Sequence, residues 1–190
     1  MTQNPYIERR LEFPATKRNR YHIAEILKKY LPLNGFILEI ASGSGEHGVT
    51  FQQIFPSLIW QTSDPNPLHR ESISAWIMHE TLSSMMPNPL DIDVEKKPWP
   101  LTSKFKSELK GIVCINMIHV SPWTCTQALF KEAESLLNKG QFLMIYGPFF
   151  RKDKPSIQSN IIFNESLRLQ NPLWGIRCLE SVNQIAFSNG

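Results

Sequence analysis

Apolar positions recur along the chain at helical and strand periods by turns. Ile23, Ile26, Leu27 and Tyr30 share one helical face and Pro32 follows them, which predicts a helix over about Lys17–Tyr30. Phe36–Ile40 is a short, mostly apolar run of strand length. A second helix is predicted from about Glu46 to Phe55, with Val49, Phe51 and Ile54 to pack and Pro56 to stop it. Leu58–Ser63 reads as a second strand, and a helix from Leu68 to about Glu80 brings Ile73, Trp76 and Ile77 together. Leu90–Val94 reads as a short third strand and Gly111–Met117, apolar almost throughout, as a fourth. A helix over Pro122–Asn138 ends at Lys139-Gly140, and Gln141–Tyr146 reads as a fifth strand. Residues 1–15, with Pro5 and Pro14, read as irregular. Beyond Tyr146 come a basic loop (Arg151, Lys152, Lys154), a helix over Gln158–Gln170 and a short helix from about Glu180, with no sixth or seventh strand.

This alternation predicts an α/β fold in three layers, a parallel sheet with helices on both faces. The chain has 190 residues, 42% apolar and 19% charged, which suits one soluble domain over 1–190. The net charge is only +3. Seven Lys/Arg against three Glu in the first thirty residues are too dispersed for a nucleic-acid arm, and no basic stripe with interleaved aromatics follows, so no nucleic-acid partner is expected. Three cysteines (Cys114, Cys125, Cys178) without paired spacing argue against a disulfide framework and a metal site. No run approaches the roughly 18 apolar residues of a membrane span, and the N-terminus lacks a signal-peptide core. A cytoplasmic protein without a membrane partner is expected.

The candidate chemistry lies in Phe36–Gly48. A strand, a turn of small residues (Ala41 to Gly45) and a helix start near Glu46 make a nucleotide-binding element, because glycines admit a ligand close to the backbone. Gly43-Ser-Gly45-Glu-His-Gly48 is a literal GxGxxG, and Asp64 follows at about the distance expected for a ribose partner. Glu39 and Glu46 oppose a pyrophosphate there, each by roughly a kcal/mol even when partly screened. They suit a ligand carrying an ammonium and a sulfonium. Glu46 also fits the helix dipole, and Asp64 also fits a cap on the Asp64–Pro67 turn.

In the other register, Glu39-x-Ala41-x-Gly43-x-Gly45 resembles the ExGxGxG motif of class I S-adenosylmethionine (SAM) methyltransferases, with Ala41 in place of the first glycine. Further segments are Trp60-Gln-Thr-Ser-Asp-Pro65, Cys114-Ile-Asn-Met-Ile-His-Val-Ser-Pro122, Tyr146-Gly-Pro148, Gln158-Ser-Asn160, Asn171-Pro-Leu-Trp-Gly175 and the Arg18-Asn19 pair. Together they resemble a family of uncharacterised SAM-dependent methyltransferases, long filed as a domain of unknown function, which includes methyltransferase-like protein 26. The resemblance runs from about residue 13 to the end. It implies a Rossmann-like class I methyltransferase fold with SAM as cofactor. The cofactor site implied is Glu39, Ala41, Ser42, Gly43, Gly45, Asp64 toward the ribose, Asp93 toward the adenine amino group (it fits a turn carboxylate nearly as well), and Asn116 beneath the sulfonium. The family continues into two more strands that are absent here, which implies a shortened chain of reduced activity. A five-stranded sheet then leaves Gln141–Tyr146 as an apolar edge, so pairing between copies of the chain is expected.

A small-molecule methyl acceptor is expected. Methyl transfer is an in-line displacement, so alignment is the main demand and a base is needed only for a protonated acceptor. Asn116, His119 and Tyr146 are the catalytic candidates, with Ser121 and Trp123 beside them. His119 is the best base by titration range, although a structural histidine, hydrogen-bonded at the strand end, fits it better. Met-Ile-His after Asn116 departs from the (Asp/Asn)-Pro-Pro-Tyr motif, so adenine or amide N-methylation is not supported. Trp123 and Phe149-Phe150 are expected as pocket walls or core, and His47 faces the ligand or caps its helix. Two rival functions stand beside this one. An NAD-dependent oxidoreductase rests on the literal GxGxxG, and a non-catalytic SAM-binding protein rests on the missing strands.

Overall fold

A computed structural model describes residues 9–189. Four parallel strands carry the architecture. β1 (Gly35–Ile40), β2 (Leu58–Thr62), β3 (Leu109–Ile115) and β4 (Phe142–Tyr146) lie in the order β2-β1-β3-β4. β1 pairs with β2 from Gly35↔Leu58 to Glu39↔Thr62, and with β3 through Ile40↔Cys114. β3 pairs with β4 from Gly111↔Phe142 to Ile115↔Tyr146. In-register parallel pairing brings all four C-terminal ends to one edge, where open α/β sheets bind ligands.

Because side chains alternate across a strand, each face of the sheet builds its own core. Ile37, Trp60 and Val113 face α1 (Pro14–Leu27), α2 (Glu46–Ile54) and α3 (Pro67–His79), which contribute Ile23, Leu27, Phe51 and Ile73. Leu38, Ile40, Ile112 and Cys114 face α5 (Trp123–Leu136), with Leu129 and Phe130, and Val182 of α7 (Leu179–Ser188). α4 (Ser103–Glu108) adds Phe105 to this side. The expected three layers are present, and Cys114 is a core residue.

The structure corrects several expectations. Leu90–Val94 forms no strand: only Leu90 bridges Ser63, with its N–H donating to Thr62 O and its O accepting from Asp64 N. Beyond Leu90 the segment leaves the sheet, and Ile92 and Val94 bury themselves in the core without a ladder. The first helix starts at Pro14, since proline is tolerated at the first helical position. The irregular segment expected over 1–15 therefore stops at Phe13, and its first eight residues lie outside the described ones. α4 was not anticipated, although Thr102 caps it by accepting from Phe105 N at 3.1 Å. Nor was a two-residue parallel pair, β5 (Phe149–Phe150) with β6 (Arg177–Cys178), beside α6 (Gln158–Gln170). Among the described residues, no strand pairs with the outer side of β4, and no helix is long and apolar enough to cross a membrane.

Candidate functional site

A cavity of about 1230 Å³ opens at the C-terminal edge of the sheet, between α1 and the loops after β3 and β4. Glu39, Ala41, Ser42, Gly43, Asp64, Asp93, Asn116, His119 and Tyr146 all line it. The turn after β1 has Ala41 at φ 54°, Gly43 at φ 56° and Gly45 at φ 93°. Ala41 thus holds a left-handed conformation without being glycine, which strains the backbone. Ser42 ties the turn to β2: its N–H donates to Ser63 O at 2.8 Å, and its Oγ accepts from Ser63 N at 3.1 Å. Gly45 stands apart from the cavity. A Cβ there would lie 2.8 Å from Ile73 Cα, so this glycine serves the packing of α2 on α3.

Glu39 is 1% exposed, and its Oε2 accepts from Trp60 Nε1 at 2.7 Å. Burial pushes its carboxyl up to about 8, and the neighbouring Asp64 adds to the rise. Asp64 Oδ2 accepts from Gly43 N at 3.0 Å and Oδ1 from Asn66 N at 2.9 Å, with His69 Nδ1 at 3.1 Å. It therefore caps its own turn and lines the cavity at once. Asp93 does likewise, accepting from Glu95 N at 3.1 Å and pairing with Lys96 Nζ at 3.2 Å.

Glu46 lies outside the cavity wall. Its buried Oε2 accepts from Phe13 N at 2.8 Å and Ser44 Oγ at 3.0 Å, placing a carboxyl at the N-terminus of α2. Phe13 in turn covers Gly43, where a Cβ would come within 2.9 Å of Phe13 Cε2. α1 contributes Arg18, Asn19 and His22 to the wall. Of these, only the Arg18-Asn19 pair carried any signal in the sequence. His47 also lines the cavity, with its Nε2 2.9 Å from Asn19 Oδ1, and burial pulls it down to about 4.

At the far end, Asn116 closes β3 at φ 59°, and its N–H donates to Tyr146 O at 2.8 Å. His119 is 4% exposed, and its Nδ1 has no partner. Burial, then the charge of Arg177, pulls it down to about 4. A Cβ on Gly147 would stand 3.2 Å from His119 Nδ1 and 3.7 Å from Asn116 Oδ1, so the two polar groups converge on one glycine. Ser121 lines the cavity, but Trp123 and Phe149-Phe150 do not. Trp123 opens α5 beneath the Arg177 guanidinium, 5.6 Å from its ring, and the phenylalanines form β5. Besides Phe13 and Tyr146, the aromatics of the wall are Phe163 of α6 and Trp174, far along the chain from the strand ends.

Solved structures share this fold. An O-methyltransferase family protein from Burkholderia thailandensis superimposes with a TM-score of 0.72 at 13% identity, over 93% of this chain and 52% of that one. Human N-acetylserotonin methyltransferase, solved with SAM, gives 0.71 at 11% identity over 93% and 47%. Geranyl diphosphate C-methyltransferase from Streptomyces coelicolor A3(2), solved with Mg2+, geranyl diphosphate and S-adenosyl-L-homocysteine, gives 0.66 at 12% identity over 91% and 61%. The chain spans about half the length of the first two. At such identities the likeness establishes the Rossmann-like α/β fold of class I methyltransferases. The model of the family described as "Protein of unknown function (DUF938)" matches residues 10–190, and the chain belongs to that family.

Proposed function

We propose that the protein is a SAM-dependent methyltransferase acting on a small-molecule acceptor, within the family that includes methyltransferase-like protein 26. The observation that carries this reading is the single cavity in which Glu39, Asp64 and Asp93 meet the glycine turn and Asn116. The cofactor, when bound, supplies a methyl group activated by a sulfonium. Around it Glu39 faces an ammonium, Asp64 accepts from ribose hydroxyls, Asp93 accepts from the adenine amino group, and Asn116 stands at the reacting end. His119 Nδ1, uncharged near neutral pH and without a partner, accepts a hydrogen bond from a protonated acceptor held over Gly147. The similar structures include both an O-methyltransferase family protein and a geranyl diphosphate C-methyltransferase.

The rival NAD-dependent oxidoreductase needs the turn to cradle a pyrophosphate. The N–H groups of Ser42, Gly43 and Gly45 are already donated, to Ser63 O, Asp64 Oδ2 and Ser42 O. The Glu46 carboxyl fills the N-terminus of α2. Both features count against a dianion. Thermal-shift titration with SAM and with NAD separates the two readings: stabilisation by SAM alone is expected, and stabilisation by NAD alone overturns the proposal. SAM binding without label transfer to any component of a cell extract would favour a non-catalytic binding protein.

A further inference from the structure

The cavity has one charged side chain that the cofactor roles above do not use. Arg18 reaches the wall from α1, and it is the only arginine or lysine there among the described residues. It has no hydrogen-bond or ion-pair partner among them. The three carboxyls of the wall come from β1 (Glu39) and from the segments after β2 (Asp64) and Leu90 (Asp93), whereas Arg18 comes from α1. The cavity therefore takes its acids from the sheet side and its guanidinium from α1.

A ligand with an α-amino acid head has an ammonium and a carboxylate on one carbon. The carboxylate needs donors or positive charge, and the usual places are occupied. The turn's Ser42, Gly43 and Gly45 N–H groups are donated within the protein. The N-terminus of α2, ordinarily an anion site, holds the Glu46 carboxyl. His47 is bonded to Asn19, and His69 to Asp64. A planar guanidinium matches a carboxylate with two parallel N–H donors.

We propose that Arg18 holds the carboxylate of the methionyl group of SAM, while the ammonium turns toward Glu39. The inference rests on the SAM reading above and adds one binding residue to it. Arg18 selects for the amino-acid head of the cofactor, whereas the nucleoside part is held independently of it.

Calorimetric titration of wild type, Arg18→Ala and Arg18→Lys with SAM and with 5′-methylthioadenosine, which lacks the amino-acid head, tests this. Arg18→Ala should weaken SAM at least tenfold, about 1.4 kcal/mol, and leave methylthioadenosine within twofold of wild type. Arg18→Lys should fall between, because an ammonium keeps the charge but not the paired donors. SAM affinity unchanged in Arg18→Ala overturns the inference and sends the guanidinium to an anionic acceptor, leaving the cofactor reading intact. Equal weakening of both ligands also overturns it, as a structural effect. Wild type binding neither ligand overturns the cofactor reading itself.

Discussion

Replacing Glu39 with glutamine should make the ligand-free protein more stable, with a gain that grows with pH. In the folded chain this carboxyl titrates near 8, against an ordinary 4.5. Between those values the folded state holds a proton that the unfolded state has released. The stability associated with it is full below 4.5, falls as pH rises, and is lost completely above 8. At about 1.4 kcal/mol per pH unit, wild type gives up about 3 kcal/mol by pH 7 and about 5 kcal/mol above pH 8. Glutamine has no proton to take up, and its amide oxygen can still accept from Trp60 Nε1. Urea denaturation of both proteins from pH 5 to pH 9, without ligand, reads the difference. The two curves should meet near pH 5 and separate steadily up to about pH 8 in favour of Glu39→Gln. A separation independent of pH, or a less stable variant at pH 8, would refute the reasoning. With SAM present the order should reverse, since a ligand ammonium converts the awkward buried acid into a partner.

His47 and His119 should produce the opposite limb. Both sit near 4 when folded against 6.5 unfolded, so the stability they lend is full above pH 6.5 and disappears as pH falls toward 4. In a Glu39→Gln background, urea denaturation should show stability falling below pH 6.5 by roughly 2 to 3 kcal/mol per unit for the two together, and a flat curve would sink the assignment. Ala41→Gly should raise the thermal midpoint, because Ala41 holds φ 54° and the left-handed region costs an L-residue about 1 kcal/mol. An unchanged or lowered midpoint in differential scanning calorimetry would mean the turn carries no strain at that position.

Much of this arrangement was legible in the sequence where local pattern and tertiary packing agree. The run Phe36–Ile40 with its small-residue turn has nowhere to go but into a sheet, and the helix after it stops at a proline. Leu90–Val94 misled because buried and polar residues alternate there as in a strand, yet Ile92 and Val94 reach their core as a loop. Alternation reports one-sided burial, and hydrogen-bond pairing is a separate matter. Glu46, which follows the glycine turn, fits by sequence either a ligand-facing acid or an acid at the α2 dipole, and the structure has the second. Its side chain also turns back to Phe13, a contact 33 residues away that no local signal encodes. Phe163 carries no local signal for the same reason, since it reaches the cavity only through the docking of α6, whereas Trp174 lies in the Asn171–Gly175 segment that resembles the family but has no role assigned by sequence.

The bond between Phe13 and Glu46 bears on what counts as the smallest folding unit of this domain. Residues 9–13 are stitched to the body by Leu11 N to Ser72 Oγ, by Trp76 Nε1 to Leu11 O and by Phe13 N to Glu46 Oε2. Glu46 Oε1 is already buried without a partner. A fragment trimmed back to β1 would take the remaining backbone donor from that carboxyl and uncover Gly43 in the same stroke. The stretch ahead of the first helix is thus a keystone of the glycine turn, and a boundary drawn at the first strand would divide one cooperative unit in two.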